Sequence, residues 1–301
     1  MKDKTEATAQ GTRGRAQDMP AGSLYVVATP LGNLDDLTVR ARDTLARADR
    51  ILAEDTRVTA TLLFACGIAA RPSALHAHNE AKRVHDVLAA LGRGERVALV
   101  TDAGTPAISD PGARLVRAAH EAGYRVVPVP GPSAVATAVS AAGLESELFV
   151  FVGFLPTQAK RRRELLSTLR PLPSALVFYE APHRVRETVA SLAQALGGER
   201  MLVIARELTK KFEAIERLPL AEAGAWLEQD TNRVRGEFVL VVDADKSVAT
   251  AAAELTPDIE RWLAALLVEL APSAAARVVA AASGVSRAVV YQRAAELKSK
   301  R

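Results

Sequence analysis

Apolar residues in the first half of the chain follow two alternating patterns. Short apolar runs such as SLYVVAT (residues 23–29) and YRVVPVPG (124–131) are typical of strands, and turn-forming Gly and Pro residues follow them. Between these runs, apolar residues recur every three or four positions, which predicts amphipathic helices. The alternation predicts an α/β fold with a parallel sheet, in which the unbroken run RVALV (96–100) is a strand buried on both faces.

The same alternation restarts after residue 147, so the chain is predicted to hold two α/β domains. In the second, LFVFVGF (148–154), SALVFYE (174–180) and GEFVLVVDA (236–244) are the clearest strands. The predicted segments are a disordered leader over residues 1–22, an N-terminal α/β domain over 23–145, a C-terminal α/β domain over 146–245, a linker over 246–257 and a helical tail over 258–301.

The helical tail fits two structures equally well. Small residues, then SGVSR (283–287), then an apolar run containing Tyr291 resemble a helix-turn-helix. The same pattern also fits a helical hairpin that packs on the rest of the chain, so the two alternatives stay open.

Four polar loops follow strands of the first domain: ATPLGN (28–33), EDTR (54–57), TDAGTPAISDPG (101–112) and PVPGPS (128–133). Ligands of α/β proteins bind at the carboxyl ends of strands, so these loops are the candidate site. The third is stiffened by two prolines, and Gly104 and Gly112 allow close backbone approach to a ligand.

The carboxylates of this third loop restrict what it can bind. Asp102 and Asp110 would repel a phosphate but tolerate a cation such as a sulfonium, and the exposed backbone groups suit an adenosine-like ligand. Asp110 is also the predicted N-cap of the next helix, with Pro111 at its first position. No phosphate-binding G-x-x-x-x-G-K-[ST] motif occurs in the chain.

Composition excludes several classes of protein. The single cysteine, Cys66, rules out an internal disulfide and fits a reducing cytosol, while no apolar run is long enough to predict a transmembrane helix. No spacing of His and Cys predicts a metal site. The net charge of +4 permits nucleic-acid binding, and basic runs such as KRRR (160–163) are individually best explained as solvated faces.

Several motifs together carry a family resemblance over residues 23–243. The motifs occur in this order along the chain: ATPLGN, EDTR, TDAGTPAISDPG, PVPGPSA, GFLP (153–156), FYEAPHR (178–184), ARELTKKFE (205–213) and GEFVLVV. They resemble the tetrapyrrole methylase superfamily. EDTR, FYEAPHR and ELTKKFE resemble more narrowly its ribosomal RNA branch rather than the porphyrin-modifying members.

The resemblance implies a fold, a reaction and partners. It implies two α/β domains with S-adenosylmethionine bound in the cleft between them, and a homodimer in the cytoplasm. The implied reaction is methylation of the ribose 2′-hydroxyl of a cytidine in the decoding centre of 16S rRNA. We expect the substrate to be the assembled small ribosomal subunit rather than naked RNA, because a single nucleotide must be presented in one shape. The order of this reaction relative to any base-methylating enzyme on the same nucleotide stays open.

The resemblance also implies which residues of both domains bind S-adenosylmethionine, the methyl donor. They are Pro30, Gly32, Asp102, Ala103, Gly104, Thr105, Ile108, Ser109, Asp110, Pro130, Gly131, Pro132, Ser133, Ala134, Tyr179, Glu180, Ala205, Arg206, Glu207, Leu208 and Gly236. No metal is predicted.

A weakly acidic ribose hydroxyl benefits from a general base, which the sequence does not single out. The candidates are Glu54, Asp55, Glu180, Glu207 and Lys210. Arg57, Arg184, Arg206 and Lys210 are candidate contacts to RNA phosphates. Each of these side chains also fits a role as an ion-pair partner.

Two other functions remain open at this stage. One is a tetrapyrrole C-methyltransferase on the same fold, although a porphyrinoid would favour more apolar and aromatic lining than this chain offers. The other is a nucleic-acid-binding module that acts through the helical tail, which would leave the strand-end loops unexplained.

Overall fold

The structure is a computed structural model that describes residues 18–245 and 255–299. It divides into two compact units, Met1–Ser133 and Ala134–Arg301. The division precedes helix Ala134–Ala141, whereas the sequence placed the boundary after residue 145, because this helix packs against strand Phe238–Val242 of the second unit.

The predicted leader, residues 1–22, falls mostly outside the described residues. Its last residues pack on the first unit. Met19 is buried, and its carbonyl oxygen accepts a hydrogen bond from Nε of Arg96. The carbonyl oxygen of Pro20 accepts another from the Tyr25 hydroxyl, so the packing of the first unit begins before its first strand.

The first unit is a parallel five-stranded sheet with helices between its strands. Its elements are β1 Ser23–Val27, α1 Val39–Arg47, β2 Arg50–Ala53, α2 Thr56–Ala65, β3 Ser73–Ala74, α3 Glu80–Gly92, β4 Val97–Leu99, α4 Ala113–Glu121 and β5 Arg125–Val129. The strand order is β3-β2-β4-β1-β5, and every pairing is parallel, as predicted. The two-residue strand β3 was not predicted, because so short a run carries no pattern.

Both faces of this sheet are buried, which explains the unbroken apolar run of β4. Val97 and Leu99 pack with α3 and α4, while Ala98 packs with residues of α1 and α2 on the other face. The site loops therefore extend from a sheet that helices cover on both faces.

The start of α4 differs from the prediction. The N-cap residue is Gly112, with φ 127°, rather than Asp110, and Pro111 precedes the helix. A carboxylate oxygen, Oε1 of Glu80 at the start of α3, accepts hydrogen bonds from the backbone N–H groups of Gly112, Arg114 and Leu115 at 3.1, 2.9 and 3.1 Å. The cap comes from a residue distant in sequence, which leaves the side chain of Asp110 available to the loop.

The second unit is built on a mixed five-stranded sheet. Its elements are α5 Ala134–Ala141, β6 Phe149–Phe154, α6 Ala159–Leu169, β7 Ala175–Glu180, α7 Val185–Leu196, β8 Met201–Arg206, β9 Ala214–Pro219, α8 Leu220–Glu228 and β10 Phe238–Val242. The order is β6-β7-β10-β8-β9. Strands β6 and β7 are parallel, whereas β10 runs antiparallel to both β7 and β8. Helices α6, α7 and α8 cover one face of this sheet.

The tail forms three helices, α9 Pro257–Glu269, α10 Pro272–Ser283 and α11 Arg287–Ser299. Its small core includes Leu263, Val279 and Val290, and Gly284 ends α10 in the left-handed conformation with φ 73°. Of the predicted linker, residues 246–254 lie outside the described residues. Within the described part of the chain, no helix is both long and apolar enough to span a membrane.

The carboxylate of Glu80 generates a prediction about stability. Glu80→Ala leaves three backbone donors at the start of α4 without their acceptor, so we expect a loss of about 1–2 kcal/mol in the free energy of unfolding. Urea denaturation followed by circular dichroism measures it. The control is Glu121→Ala at the exposed end of the same helix, for which we expect a change within about 0.5 kcal/mol. Equal effects of the two variants would contradict the capping role.

Candidate functional site

Three loops of the first unit are joined by hydrogen bonds at the carboxyl ends of β1, β4 and β5. The backbone N–H of Thr29 donates to the carbonyl oxygen of Gly104 at 2.9 Å, and Gly104 returns a bond of 3.0 Å to Thr29. The hydroxyl of Thr105 donates to the carbonyl oxygen of Pro132 at 3.0 Å. The loops that are predicted to bind S-adenosylmethionine therefore form one continuous surface.

Two glycines permit this close approach. Gly104 has φ 83°, and a Cβ there would lie 3.3 Å from Cδ2 of Leu31. At Gly131 a Cβ would lie 3.0 Å from the Cβ of Ala28. In the same region Ala107 adopts φ 65°, a left-handed conformation that costs free energy in a residue with a side chain. Such strain is typical of ligand-binding loops, and nothing in the residue pattern around Ala107 predicts it.

Two carboxylates of these loops hydrogen-bond with Thr101, and a third, that of Asp102, follows it in sequence. The Thr101 hydroxyl donates to Oε2 of Glu54 at 2.8 Å, and it also hydrogen-bonds with Asp110. Burial, followed by the negative charges of Glu54 and Asp102, raises the pKa of Asp110 to about 6 although the bond with Thr101 opposes the shift. The resulting negative potential favours a bound cation.

The EDTR loop is attached to the donor loop through Asp102. Oδ1 of Asp102 accepts a hydrogen bond of 2.9 Å from the backbone N–H of Asp55. Asp55 caps α2 and forms an ion pair of 2.6 Å with Arg57, whose hydrogen bonds lower the pKa of Asp55 to about 2. The side chain of Arg57 is nevertheless 89% exposed, so its guanidinium faces solvent.

Four residues of the second unit that are predicted to bind S-adenosylmethionine lie in neighbouring cross-strand pairs of its sheet. Tyr179 and Ala205 both pair with Val239, so they occupy one face with a single strand between them. Glu180 and Arg206 pair in the same way with Phe238. Parallel and antiparallel strands alike lie about 4.8 Å apart, which puts each pair about 10 Å apart across β10.

Glu180 is the most buried of the candidate bases, with 3% of its surface exposed. Its Oε2 accepts a 2.5 Å bond from the Thr188 hydroxyl, and its Oε1 accepts a 2.8 Å bond from the Ala181 N–H. Arg184 lies 3.4 Å from Oε1 and donates to the carbonyl oxygen of Leu155 at 2.6 Å. Both side chains therefore hold the start of α7 and the loop after β6.

Lys210 lies between two carboxylates, at 2.9 Å from Glu207 and 2.9 Å from Glu237. Burial alone would lower the pKa of Lys210, but the hydrogen bonds that Lys210 donates to the carboxylates of Glu237 and Glu207 outweigh it and raise the pKa. Burial alone would raise the pKa of Glu207, but hydrogen bonds from Lys210 and Glu237 hold it below its usual range. Glu207 and Thr209 both have positive φ, 53° and 66°.

Gly236 makes the Glu207 conformation possible. It has φ 90°, and a Cβ there would overlap the Glu207 side chain. Arg206 stiffens the same region, since its guanidinium donates to the carbonyl oxygens of Asn232, Arg235 and Phe212 at 3.0, 3.3 and 3.2 Å.

The other residues that are predicted to bind S-adenosylmethionine lie in three places. These are the loops of the first unit, the connection between β8 and β9 of the second unit, and the point in the chain where the two units divide. Ile108 is 49% exposed, Ser133 ends the first unit and Ala134 begins α5 of the second. In the first-unit loops lie Pro30, Gly32, Ala103, Ser109 and Pro130, and Leu208 follows β8. The sequence analysis did not name Thr101 or Glu237 as site residues. Thr101 could have been found, because it is a hydroxyl residue at the end of a strand. Glu237 could not, because it pairs with Lys210, which lies 27 residues away in the chain. Among the described residues no cluster of His, Cys, Asp or Glu could hold a metal ion.

Comparison with known proteins decides the family. Residues 23–224 match the family model of tetrapyrrole (corrin/porphyrin) methylases. The chain belongs to the tetrapyrrole methylase family. Residues 253–298 of this tetrapyrrole methylase match the model of the RsmI C-terminal HTH domain, so the tail is similar to that domain.

Curated relatives confirm the ribosomal RNA branch of the tetrapyrrole methylases. The chain is 46% identical over 282 residues to ribosomal RNA small subunit methyltransferase I of Escherichia coli O157:H7, covering 94% of this chain and 98% of the relative. The protein of the same name from Pseudomonas aeruginosa is also 46% identical, covering 94% of this chain and 100% of the relative.

Solved structures confirm the two-sheet α/β fold of this tetrapyrrole methylase. Cobalt precorrin-4 methyltransferase superposes with a TM-score of 0.55 at 20% identity, covering 75% of this chain and 98% of the other. Uroporphyrin-III-C-methyltransferase from Thermus thermophilus gives 0.53 at 21% identity, over 76% and 97%. At this identity the likeness concerns the fold alone.

The overlap at Gly236 predicts a large effect of a single methyl group. Gly236→Ala adds both backbone strain and a clash with Glu207, so we expect a loss of about 2–5 kcal/mol in the free energy of unfolding. Gly197→Ala is the matched control, because Gly197 has φ 98° and a Cβ there would meet nothing within 4 Å. It costs only the strain of about 1–3 kcal/mol. Urea denaturation measures both, and equal losses would rule out the clash.

The raised pKa of Asp110 predicts how stability depends on pH. Between about pH 4 and pH 6 the folded protein keeps a proton that the unfolded chain has lost, so this group lowers stability as pH rises through that window. Asp110→Asn should therefore flatten this part of the profile of melting temperature against pH. The control Asp35→Asn lies on the exposed segment Leu34–Asp36. A profile unchanged by Asp110→Asn would show that the carboxyl titrates normally.

Proposed function

We propose that this chain transfers the methyl group of S-adenosylmethionine to the 2′-hydroxyl of a cytidine ribose in the decoding centre of 16S rRNA. The supporting observation is the 46% identity, over nearly the whole of both chains, with proteins named ribosomal RNA small subunit methyltransferase I. We further propose that it acts in the cytoplasm as a homodimer. Its substrate is the assembled small subunit, because that assembly presents one nucleotide in one shape.

The donor loops of the first unit fit S-adenosylmethionine. The carboxylates of Glu54, Asp102 and Asp110 provide a negative potential for a sulfonium, whereas they would repel a phosphate. The loops joined by Thr29 and Gly104 offer backbone donors and acceptors to the adenosine. When bound, S-adenosylmethionine supplies an electrophilic methyl group on its sulfonium.

The protein accelerates the reaction mainly through position. The ribose oxygen must approach the methyl carbon in line with the bond that breaks, and rigid loops hold the partners in that arrangement. Removal of the hydroxyl proton by a base contributes further.

Glu54 is the candidate base that fits best. Asp55 and Glu207 are weak bases because hydrogen bonds lower their pKa, to about 2 in Asp55, and Lys210 is protonated because its pKa is raised. The oxygens of Glu180 are occupied by Thr188 and Ala181. Glu54 is half-buried and oriented by Thr101 through Oε2, and among the described residues its Oε1 has no hydrogen-bond donor.

Exposed cations offer contacts to the RNA. Of the four candidates, Arg57 presents its guanidinium to solvent, whereas Arg184 and Arg206 donate to backbone carbonyls and Lys210 is held between carboxylates. We propose Arg57 as a phosphate contact that Asp55 orients.

Methyl transfer tests the proposal directly. The protein is mixed with labelled S-adenosylmethionine and small ribosomal subunits from a strain that lacks the modification, and the label is mapped by nuclease digestion and mass spectrometry. We expect one methyl group on one cytidine ribose. Glu54→Gln should lower kcat by about 10²–10⁴-fold at saturating S-adenosylmethionine, while Glu121→Gln, an exposed control, should leave kcat unchanged.

Two outcomes would contradict the proposal. Donor binding without transfer to RNA would favour a tetrapyrrole acceptor, which a screen of porphyrinoids would identify. Subunit binding without donor binding would favour a nucleic-acid-binding role of the tail.

A further inference from the structure

Two motifs of the second unit have no role in the function proposed so far. GFLP ends β6, and KRRR lies in the first turns of α6. Both therefore lie at the carboxyl edge of the parallel pair β6–β7. β6 is an edge strand of its sheet, and Phe154, its last residue, is 53% exposed.

Phe154 belongs to an aromatic cluster with Phe151 and Tyr179. The Tyr179 ring lies 4.9 Å from that of Phe151 and 5.7 Å from that of Phe154, each at an interplanar angle of 65°. In a regular strand Phe151 and Phe154 would point to opposite faces. The pairing register shifts between Phe151 and Gly153, whose φ is 78°, and this bulge turns both rings towards Tyr179.

The chain after Phe154 is held by two internal arginines. Arg184 donates to the carbonyl oxygen of Leu155 at 2.6 Å, and Arg162 donates to those of Pro156 and Thr157 at 3.3 Å each. Arg162 belongs to the basic run that the sequence explained as a solvated face, but it is 3% exposed. The Phe154 ring is therefore preorganised, so little conformational entropy is lost when a ligand stacks on it.

Exposed arginines lie in the first turns of the helices that follow β6 and β7. Arg162 also pairs with Glu187, which links the first turns of α6 and α7. Next to these two residues in sequence lie Arg161 and Arg186, both exposed and without an ion-pair partner among the residues that the structure describes. Neither helix has a side-chain cap at its N-terminus, although the first N–H of α7 donates to the carbonyl oxygen of Ala181.

An exposed ring, together with exposed arginines in the first turns of the two helices that follow β6 and β7, has the chemistry of a single-stranded nucleic-acid surface. Bases of any sequence stack on aromatic faces, while arginines and helix N-termini bind phosphates. A porphyrinoid, itself a polyanion with a large apolar face, would need a wider aromatic surface than one ring. The positive charges suit both polyanions, so the small exposed aromatic surface is what favours RNA as the occupant.

We propose that Phe154 is the stacking platform for a base in or next to the methylated nucleotide, and that Arg161 and Arg186 bind the phosphates of that strand. This inference rests on the proposed RNA substrate and names the part of the second unit that binds it.

The stacking role is tested with Phe154→Ala and Phe154→Tyr at saturating S-adenosylmethionine. We expect Phe154→Ala to lower kcat/KM for small subunits by about 5- to 150-fold, the range of base–aromatic stacking, and Phe154→Tyr to retain it. Phe64→Ala, which removes an 87% exposed ring of the first unit, is the control and should have no effect. Calorimetry should show unchanged donor affinity in all three.

The phosphate contacts are tested by filter binding of the protein to small subunits at increasing salt. Arg161→Ala and Arg186→Ala should each reduce the slope of log K against log salt concentration by about 0.7, as expected for one phosphate of a single strand. Arg170→Ala, an exposed residue at the opposite end of α6, is the matched control and should leave the slope unchanged.

Each contrary outcome is distinct. Unchanged kcat/KM in Phe154→Ala, or unchanged salt slopes in both arginine variants, would overturn the platform while leaving methyl transfer by the wild type intact. A loss of donor affinity in Phe154→Ala would assign the ring to the donor site instead and also overturn it. A wild-type protein that transfers no methyl group would contradict the proposed function, and filter binding would still test the platform.

Discussion

The backbone pair between Thr29 and Gly104 is the constraint on which the first-unit site depends. It joins the loop after β1 to the loop after β4, so that two strands that are neighbours in the sheet continue as neighbours beyond its edge. Such pairing requires close approach of two backbones, and Gly104 permits it because a side chain there would press on Leu31. The neighbouring carboxylates owe their arrangement to this geometry, since Thr101 and Asp102 lie between the strand and the paired glycine.

Charged groups of the candidate site serve two different purposes. Some hold the chain: Glu80 caps a helix, and Arg184 and Arg206 bind backbone carbonyls that would otherwise need water. Others remain directed outwards, among them Arg57, whose guanidinium is exposed although its carboxylate partner is ordered. Residue type alone does not separate the two groups, because a guanidinium suits a carbonyl and a phosphate equally well.

The two sheets provide different kinds of site. In the parallel first sheet every strand ends at the same edge, so its loops converge without further help. In the mixed second sheet β10 runs against its neighbours, and the candidate residues are brought together by cross-strand pairing with Phe238 and Val239. Strand order does not determine the directions of the side chains there. The bulge at Gly153 and the absence of a side chain at Gly236, where a Cβ would overlap Glu207, set them instead.

The sequence by itself determined the alternation of strands and helices, the parallel first sheet, the strand-end position of the loops and the family, because these follow from local periodicity and from short motifs. The tertiary structure decided which charged side chains have partners. Glu80 caps α4 at a residue 32 positions away in the chain, and Lys210 pairs with Glu237, which is 27 positions away. The tertiary structure also decided that Asp110 is not a helix cap and that Arg162 is buried. Burial and pairing depend on contacts between residues distant in the chain, and no local pattern encodes them.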